Sequence, residues 1–301
     1  MDVATLFASD YATARARFRQ AALDCGCQVE AHAIDRSGPN GEDLAIDVAI
    51  ARGANSERAL LVSSGMHGVE GFFGSAVQLA VLRQWAGKKR ASLPVRCLFL
   101  HALNPFGFAW LRRVNEENVD LNRNLLPEGE PFRGSPHRYR ELDRLLNPKR
   151  TPSRWEPVTL KFLLALARHG MPALKEAVAS GQYDFPRGLF FGGARPSRSS
   201  EILAANFERW LAGSRLVAHL DLHTGLGAWA GCKLLIDHPL SEAQRRRLER
   251  WFGPDSFECS DSHRLAYPTR GSFGQWCAAR SRGRDYLYAA AEFGTHNPAR
   301  V

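Results

Sequence analysis

The chain has 301 residues, of which 45% are hydrophobic and 24% charged, with 40 basic against 31 acidic side chains for a net charge of +9. That is the composition of a globular protein able to bury a sizeable core, and it excludes a disordered or collagen-like chain. No run is long and apolar enough for a membrane span, so no membrane partner is expected. Arginines are scattered, apart from Arg245-Arg246-Arg247, and no nucleic-acid motif accompanies them. The positive balance reads as a basic surface that favours an anionic ligand, not as nucleic-acid binding. Cys25, Cys27, Cys97, Cys232, Cys259 and Cys277 form no Cys-x-x-Cys pair and no evident disulfide framework. Met1 to Arg19 lacks the apolar core of a signal peptide. A reducing compartment, the cytoplasm, is the expectation.

Taken in order, Tyr11 to Cys25 has the spacing of an amphipathic helix, and Gln28 to Ile34 alternates as a half-buried strand does. The turn cluster Ser37-Gly-Pro-Asn-Gly41 separates it from a strand over Leu44 to Ala51, and a buried strand follows at Ala59 to Ser64. Gly74 to Trp85 reads as a helix and Val95 to His101 as another buried strand. Strand, helix and strand at this spacing make a βαβ unit, hence a partly parallel sheet with helices on its faces. After the turn Asn104-Pro-Phe-Gly107, residues 126–157 have no clear period and Thr159 to Ala179 is helical with a break at Gly170-Met-Pro172. Residues 126–200 therefore read as an insertion, either a wall of a substrate pocket or a surface subdomain. A helix over Ser199 to Ala212, strands at Leu216 to His223 and Cys232 to Asp237, and a Ser241-capped helix to about Trp251 come next. Tyr267 to Gly274 reads as a loop and Asp285 to Phe293 as the last strand. There is no repeat and no low-complexity linker, so the expectation is one domain, 1–301. The chain ends nine residues after Glu292, before a helix covering that strand could form: either it is cut short or an edge is left bare.

Three strand ends carry residues suited to chemistry. Ala59 to Ser64 closes on Gly65-Met-His67-Gly-Val-Glu70-Gly, placing an imidazole and a carboxylate, both zinc ligands, in a glycine-flanked turn. Leu216 to His223 presents His219, Asp221 and His223 on one face, because strand side chains alternate. His219 and His223 lie about 13 Å apart, too far to share one ion. His223, at the C-terminal end where sheet enzymes place their sites, is the candidate ligand, with Asp221 behind it and His219 a buried, hydrogen-bonded histidine. The third strand end offers Glu292, a carboxylate suited to be a general base.

These residues occur in the order His67-Gly-Val-Glu70, Asn104-Pro-Phe-Gly to Arg112-Arg113, Val119-Asp-Leu-Asn122-Arg123-Asn124, Asp221-Leu-His223-Thr-Gly and Glu292. The series resembles the zinc metallocarboxypeptidase superfamily, the carboxypeptidase A-like enzymes with their aspartoacylase and succinylglutamate desuccinylase branch. Ser63-Ser-Gly-Met-His-Gly-Val-Glu-Gly71, Gly181-Gln-Tyr, Gly188-Leu-Phe-Phe-Gly-Gly and Glu292-Phe-Gly-Thr look most like a largely uncharacterised bacterial branch. The resemblance runs from about Leu44 to the end.

It implies a three-layer α/β/α domain with a mixed, largely parallel sheet of about eight strands. It implies one zinc ion per chain on His67, Glu70 and His223, with Glu292 as general base and acid. An arginine after the Asn-Pro turn would hold the oxyanion; spacing favours Arg112, with Arg113 the alternate. Asn122 and Arg123 would grip a substrate carboxylate. Tyr267 is the one loop tyrosine available for substrate contact. Phe106 departs from the pattern of the digestive enzymes, which carry an aspartate there. The implied activity is zinc-dependent hydrolysis of an amide bond beside a free carboxylate, either a C-terminal peptide bond or an N-acyl amino acid. A non-catalytic scaffold binding anionic peptides and a serine hydrolase are the alternatives. No Gly-x-Ser-x-Gly is present, and Ser63-Ser64-Gly65 lacks the glycine that precedes a nucleophile elbow.

Overall fold

The computed structural model describes residues 2–86, 93–149, 157–170, 174, 180–259, 269–281 and 283–295. Tyr267 and residues 296–301 lie outside them, so the expectations placed on that tyrosine and on the end of the chain rest with the sequence.

Eight strands form one mixed sheet: β1 (Gln28–Ser37), β2 (Asp43–Ala51), β3 (Asn55–Ser64), β4 (Val95–His101), β5 (Leu216–Thr224), β6 (Cys232–Ile236), β7 (Phe257–Cys259) and β8 (Asp285–Phe293). Their order is β1-β2-β4-β3-β5-β8-β6-β7. The central block β4-β3-β5-β8 is parallel throughout, and β6 runs antiparallel to β8. This is the α/β architecture expected. One detail differs from the sequence reading: β8 is interior, paired with β5 on one side and β6 on the other, so it leaves no bare edge.

Period-two alternation builds two cores, one on each face of the sheet. Ile46 and Val48 of β2, Leu98 and Leu100 of β4, Val217 of β5, and Tyr286 and Tyr288 of β8 point to the first. That face is covered by α6 (Arg198–Trp210), through Phe207 and Trp210, and by α8 (Phe273–Arg280), through Phe273 and Trp276. The intervening residues Ala49, Phe99, Leu222, Leu287 and Ala289 point to the second. There they meet Ala76, Leu79 and Leu82 of α2 (Gly71–Trp85) and Leu248 of α7 (Glu242–Phe252). Helix α1 (Tyr11–Asp24) contributes to both cores, Tyr11 and Ala14 to the first and Phe18, Ala21 and Ala22 to the second. Between β4 and β5 run the short α3 (Pro105–Ala109), α4 (His137–Leu146) and α5 (Val158–His169).

Strand parity gathers the polar side chains of three strands on one face. Ser63, His219, Asp221 and His223 share the parity of Leu61 and Val217, and Ala290 and Glu292 share that of Tyr288. All of them face the first core, at the C-terminal end of the parallel block. Among the described residues no helix is long and apolar enough to cross a membrane.

Candidate metal centre

Strand β3 ends at Gly65, whose φ of +67° is the left-handed conformation that glycine adopts without a Cβ clash. A single 3-10 turn, Gly68–Glu70, follows and leads into α2. This turn lies directly on the loop after β4. A Cβ on Gly68 would come within 2.1 Å of the Gly107 carbonyl carbon, so only glycine allows the approach. The two loops are tied by Gly68 N–H donating to Arg113 O at 3.2 Å and Val69 N–H to Arg112 O at 3.0 Å. Asn104 caps α3, accepting from Gly107 N at 2.8 Å while its amide donates to Arg113 O at 3.1 Å. The turn that carries His67 and Glu70 is thereby fastened to the segment that carries the arginines.

His67, Glu70 and His223 meet there. Their donor atoms lie within 4.8 Å of one another, the one His/Cys/Asp/Glu group of that kind among the described residues. His67 Nδ1 is 2.9 Å from Glu70 Oε1 and His223 Nδ1 is 3.0 Å from Glu70 Oε2. The outer ring nitrogens have different partners. His223 Nε2 is 2.7 Å from Asp221 Oδ2, whereas His67 Nε2 is 2.6 Å from Arg113 Nη2 and 3.6 Å from Asp120 Oδ1. At His223 the carboxylate behind the imidazole fixes its tautomer and leaves the opposite nitrogen with its lone pair free for a metal.

Behind Asp221 runs an ordered chain. Tyr286 Oη lies 2.7 Å from His219 Nδ1, His219 Nε2 lies 2.7 Å from Ser63 Oγ, and Ser63 Oγ donates to Asp221 Oδ1 at 2.5 Å. Because Ser63 gives its proton to Asp221, His219 Nε2 must donate to Ser63 and His219 Nδ1 must accept from Tyr286. Tyr288 adds a third donor to Asp221, at 3.0 Å. The whole chain is buried. His219 is thus the hydrogen-bonded core histidine expected from its position.

The electrostatics follow from these partners. Burial alone would lower the His223 imidazole, but Asp221 and Glu70 outweigh it and hold its pKa well above the ordinary value. Burial opposes the charge on Glu70 and Asp120 as well. His67 and His223 overcome it at Glu70, and Arg113, Arg123 and His67 do so at Asp120, so both carboxyls lie below their usual range. Glu292 shifts the other way. Burial raises it against the pull of His223, with Glu70 adding to the rise, and its Oε2 is enclosed without a hydrogen-bond partner. A carboxylate with an elevated pKa and an unengaged oxygen is suited to taking and returning a proton.

A cavity of about 390 Å³ opens over this cluster, lined by His67, Glu70, His223 and Glu292 and also by Arg113, Asn122 and Arg123. Of the two candidate arginines the structure brings in Arg113, against the sequence preference. Arg113 Nε donates to Asp120 Oδ2 at 3.1 Å and its guanidinium lies 5.2 Å from the Phe190 ring centroid, whereas Arg112 is exposed and outside the cavity lining. Leu111, just before the two arginines, takes φ +54°. Arg123 is buried, stacks on the same ring at 5.8 Å and donates to Asn122 O at 2.6 Å. Asn122 Oδ1 accepts from Phe273 N, tying it to the start of α8. Phe190, which comes from the 126–200 insertion, adopts φ +56°, a strained conformation for an aromatic residue that the two cations flank. Asp120, Ser63, Tyr288, Phe190 and Asp237 were not singled out from sequence as site residues. For Asp120 the signal was its place in Val119-Asp-Leu-Asn122-Arg123, two residues before Asn122.

The fold is similar to that of solved carboxypeptidases. The chain superimposes on carboxypeptidase A from Helicoverpa armigera with a TM-score of 0.54 at 11% identity, covering 96% of this chain and 65% of that one. Against bovine thrombin-activatable fibrinolysis inhibitor, solved with tick carboxypeptidase inhibitor, the TM-score is 0.51 at 12% identity, over 97% and 86% of the two chains. Residues 7–301 match the family described as DUF2817, protein of unknown function, and the chain belongs to that family. A search of curated proteins gave no match.

Proposed function

We propose that this chain is a zinc-dependent hydrolase that cleaves an amide bond beside a free carboxylate, in a C-terminal peptide bond or an N-acyl amino acid. The observation that carries the reading is the convergence in one cavity of a His-Glu-His donor set, an acid of raised pKa and two arginines. The donor set fits zinc: two imidazole nitrogens and one carboxylate leave a fourth position open, and the carboxylate behind His223 is the usual outer support.

Zinc on His67, Glu70 and His223 would supply Lewis-acid polarisation of a carbonyl and a water of lowered pKa. The chain's own residues would do the rest. Arg123, with Asn122 beside it, would hold the substrate carboxylate through a two-pronged hydrogen bond. Arg113, braced by Asp120, would donate to the carbonyl oxygen as negative charge develops on it. Glu292 would take the proton from water and pass it to the departing amine, which returns the carboxylate to its starting state.

Ser63 and His219 approach to 2.7 Å but offer no serine-hydrolase alternative. Both are fully buried and the serine proton is engaged by Asp221, so no substrate meets that hydroxyl. The test is a panel of N-acyl amino acids and short peptides, each with a free and an amidated C-terminus, assayed with zinc and with chelator. Hydrolysis should require the free carboxylate, stop on chelation and be lost in Glu292→Gln. Equal cleavage of amidated substrates, or activity that survives the chelator, would overturn the reading.

A further inference from the structure

We infer that a second cavity, at the end of the sheet opposite the metal centre, binds a small phosphate-bearing molecule through Arg52 and Arg96. The site is separate from the metal centre, and the inference does not rest on the hydrolase reading.

The placement comes from strand register. β2 and β4 run antiparallel, with Ile50 opposite Leu98 and Ala51 opposite Cys97. Continuing that ladder by one residue sets Arg52 opposite Arg96, on the face shared by Ile50 and Leu98. Gly53 then packs on the start of β4. A Cβ there would come within 2.1 Å of the Val95 carbonyl, so only glycine lets the chain after Arg52 lie this close. Like charges directly opposite across a ladder destabilise it, so the pair is not explained by the needs of the sheet. A cavity of about 720 Å³ opens beside the two arginines and is lined also by Gln28, Glu30, Ser56 and Arg209. It shares no residue with the cavity over the metal centre.

The other charges at this cavity are already matched. Glu30 holds Arg209 through two parallel bonds, Nη1 to Oε1 at 2.8 Å and Nη2 to Oε2 at 2.7 Å, and accepts from Trp210 Nε1 at 3.3 Å. Arg96 Nη1 donates to Ala212 O, just past α6, at 2.6 Å. That bond fixes the direction of the guanidinium and leaves the rest of its fork open. Among the described residues neither Arg52 nor Arg96 forms an ion pair, and Arg52 makes no hydrogen bond. Burial pushes the Arg96 pKa down and the charge on Arg52 adds to the fall, with no carboxylate acting the other way. Glu30 is the one carboxylate in the lining, and Arg209 engages it. Two cations therefore face the cavity without a counter-charge. A guanidinium fork matches phosphate oxygens, and two forks side by side match the double charge of a phosphate monoester. The volume falls within the range of small-molecule pockets and exceeds what a phosphate ion fills, leaving Gln28 and Ser56 to meet the rest of the molecule.

The competing role is a solvated basic edge on which Arg96 only caps α6. Pyrophosphate, ADP and succinate are titrated by calorimetry into metal-free wild type, Arg52→Ala and Arg52→Glu, and the Tm of each protein is read without ligand. Arg113 and Arg123 also offer an anion site, so binding that survives in Arg52→Glu belongs to the metal centre. Relative to wild type, Arg52→Glu should lose one bound pyrophosphate per chain, and Arg52→Ala should hold that one about 10-fold more weakly or worse. Neither substitution should lower the Tm, and Arg52→Glu should raise it, because an opposite-charge pair replaces a like-charge pair. At the Arg52-dependent site, ADP binding more tightly than pyrophosphate supports a phosphorylated molecule, and equal affinities support phosphate groups alone. Wild-type and Arg52→Glu isotherms that coincide overturn the inference, as does succinate binding there as tightly as pyrophosphate. Loss of binding in Arg52→Ala that comes only with a fallen Tm makes Arg52 structural and overturns it as well.

Discussion

Replacing Asp221 by asparagine changes one atom at the point where the core meets the metal centre. The fully buried carboxylate accepts from Ser63 Oγ at 2.5 Å, His223 Nε2 at 2.7 Å and the Tyr288 hydroxyl at 3.0 Å. An amide keeps one acceptor atom and sets an NH2 group against the remaining donors. If the NH2 takes the Oδ2 position, His223 and Tyr288 both lose their acceptor; in the opposite orientation Ser63 does. The second arrangement is the cheaper, and it leaves one buried donor unsatisfied, which costs about 1–3 kcal/mol of folding stability. Loss of the charge behind His223 also makes Nδ1 a poorer donor and frees the ring to rotate. Removing such outer partners lowers metal affinity about 10- to 100-fold, or about 1.4–2.7 kcal/mol. Zinc Kd is read by competition with a chromophoric chelator, and stability by urea titration of the metal-free protein. A zinc Kd within about threefold of wild type, well short of that loss, would refute the claim that Asp221 orients His223 for metal.

Two further outcomes come from the same geometry. Arg113→Ala should reduce kcat by about 10²-fold with zinc retained, while Arg112→Ala, outside the cavity, should stay within about twofold of wild type; the reverse ranking in steady-state kinetics would reinstate Arg112. His101 and His219 are fully buried, and burial pushes both imidazoles down from 6.5 to about 4. Both are neutral in the folded chain, so as the pH falls below 6.5 the unfolded chain takes up protons that the folded chain refuses. Their contribution is complete above that pH and is lost toward pH 4, by about 2 kcal/mol per imidazole at pH 5. Urea midpoints at pH 8 and pH 5 should therefore fall further for wild type than for His101→Gln, and equal falls would contradict the assignment.

Much of the architecture was legible because the strands announce themselves. Val95 to His101 and Asp285 to Phe293 match the observed bounds, and the glycine turns after Ser64 and His223 mark where the parallel block ends. Other features were hidden for physical reasons. Strand β7 is only three residues long, too short for a period to show. Helix α8 begins inside what reads as a loop, since Gly274 masks its first turn; the Ser272 cap, accepting from Gln275 N at 3.3 Å, was the available signal. The choice between Arg112 and Arg113 depends on which of them reaches Asp120 and the cavity, a long-range placement that no propensity foretells.

The central claim is that His67, Glu70 and His223 hold one zinc ion that Glu292 serves but does not bind. Equilibrium dialysis of metal-depleted protein against zinc, with metal counted per chain, tests it most directly. Wild type and Glu292→Gln should each take up one zinc, and His223→Ala and Glu70→Ala should lose that tight site. Wild type without stoichiometric zinc, or His223→Ala binding as tightly as wild type, would contradict the account.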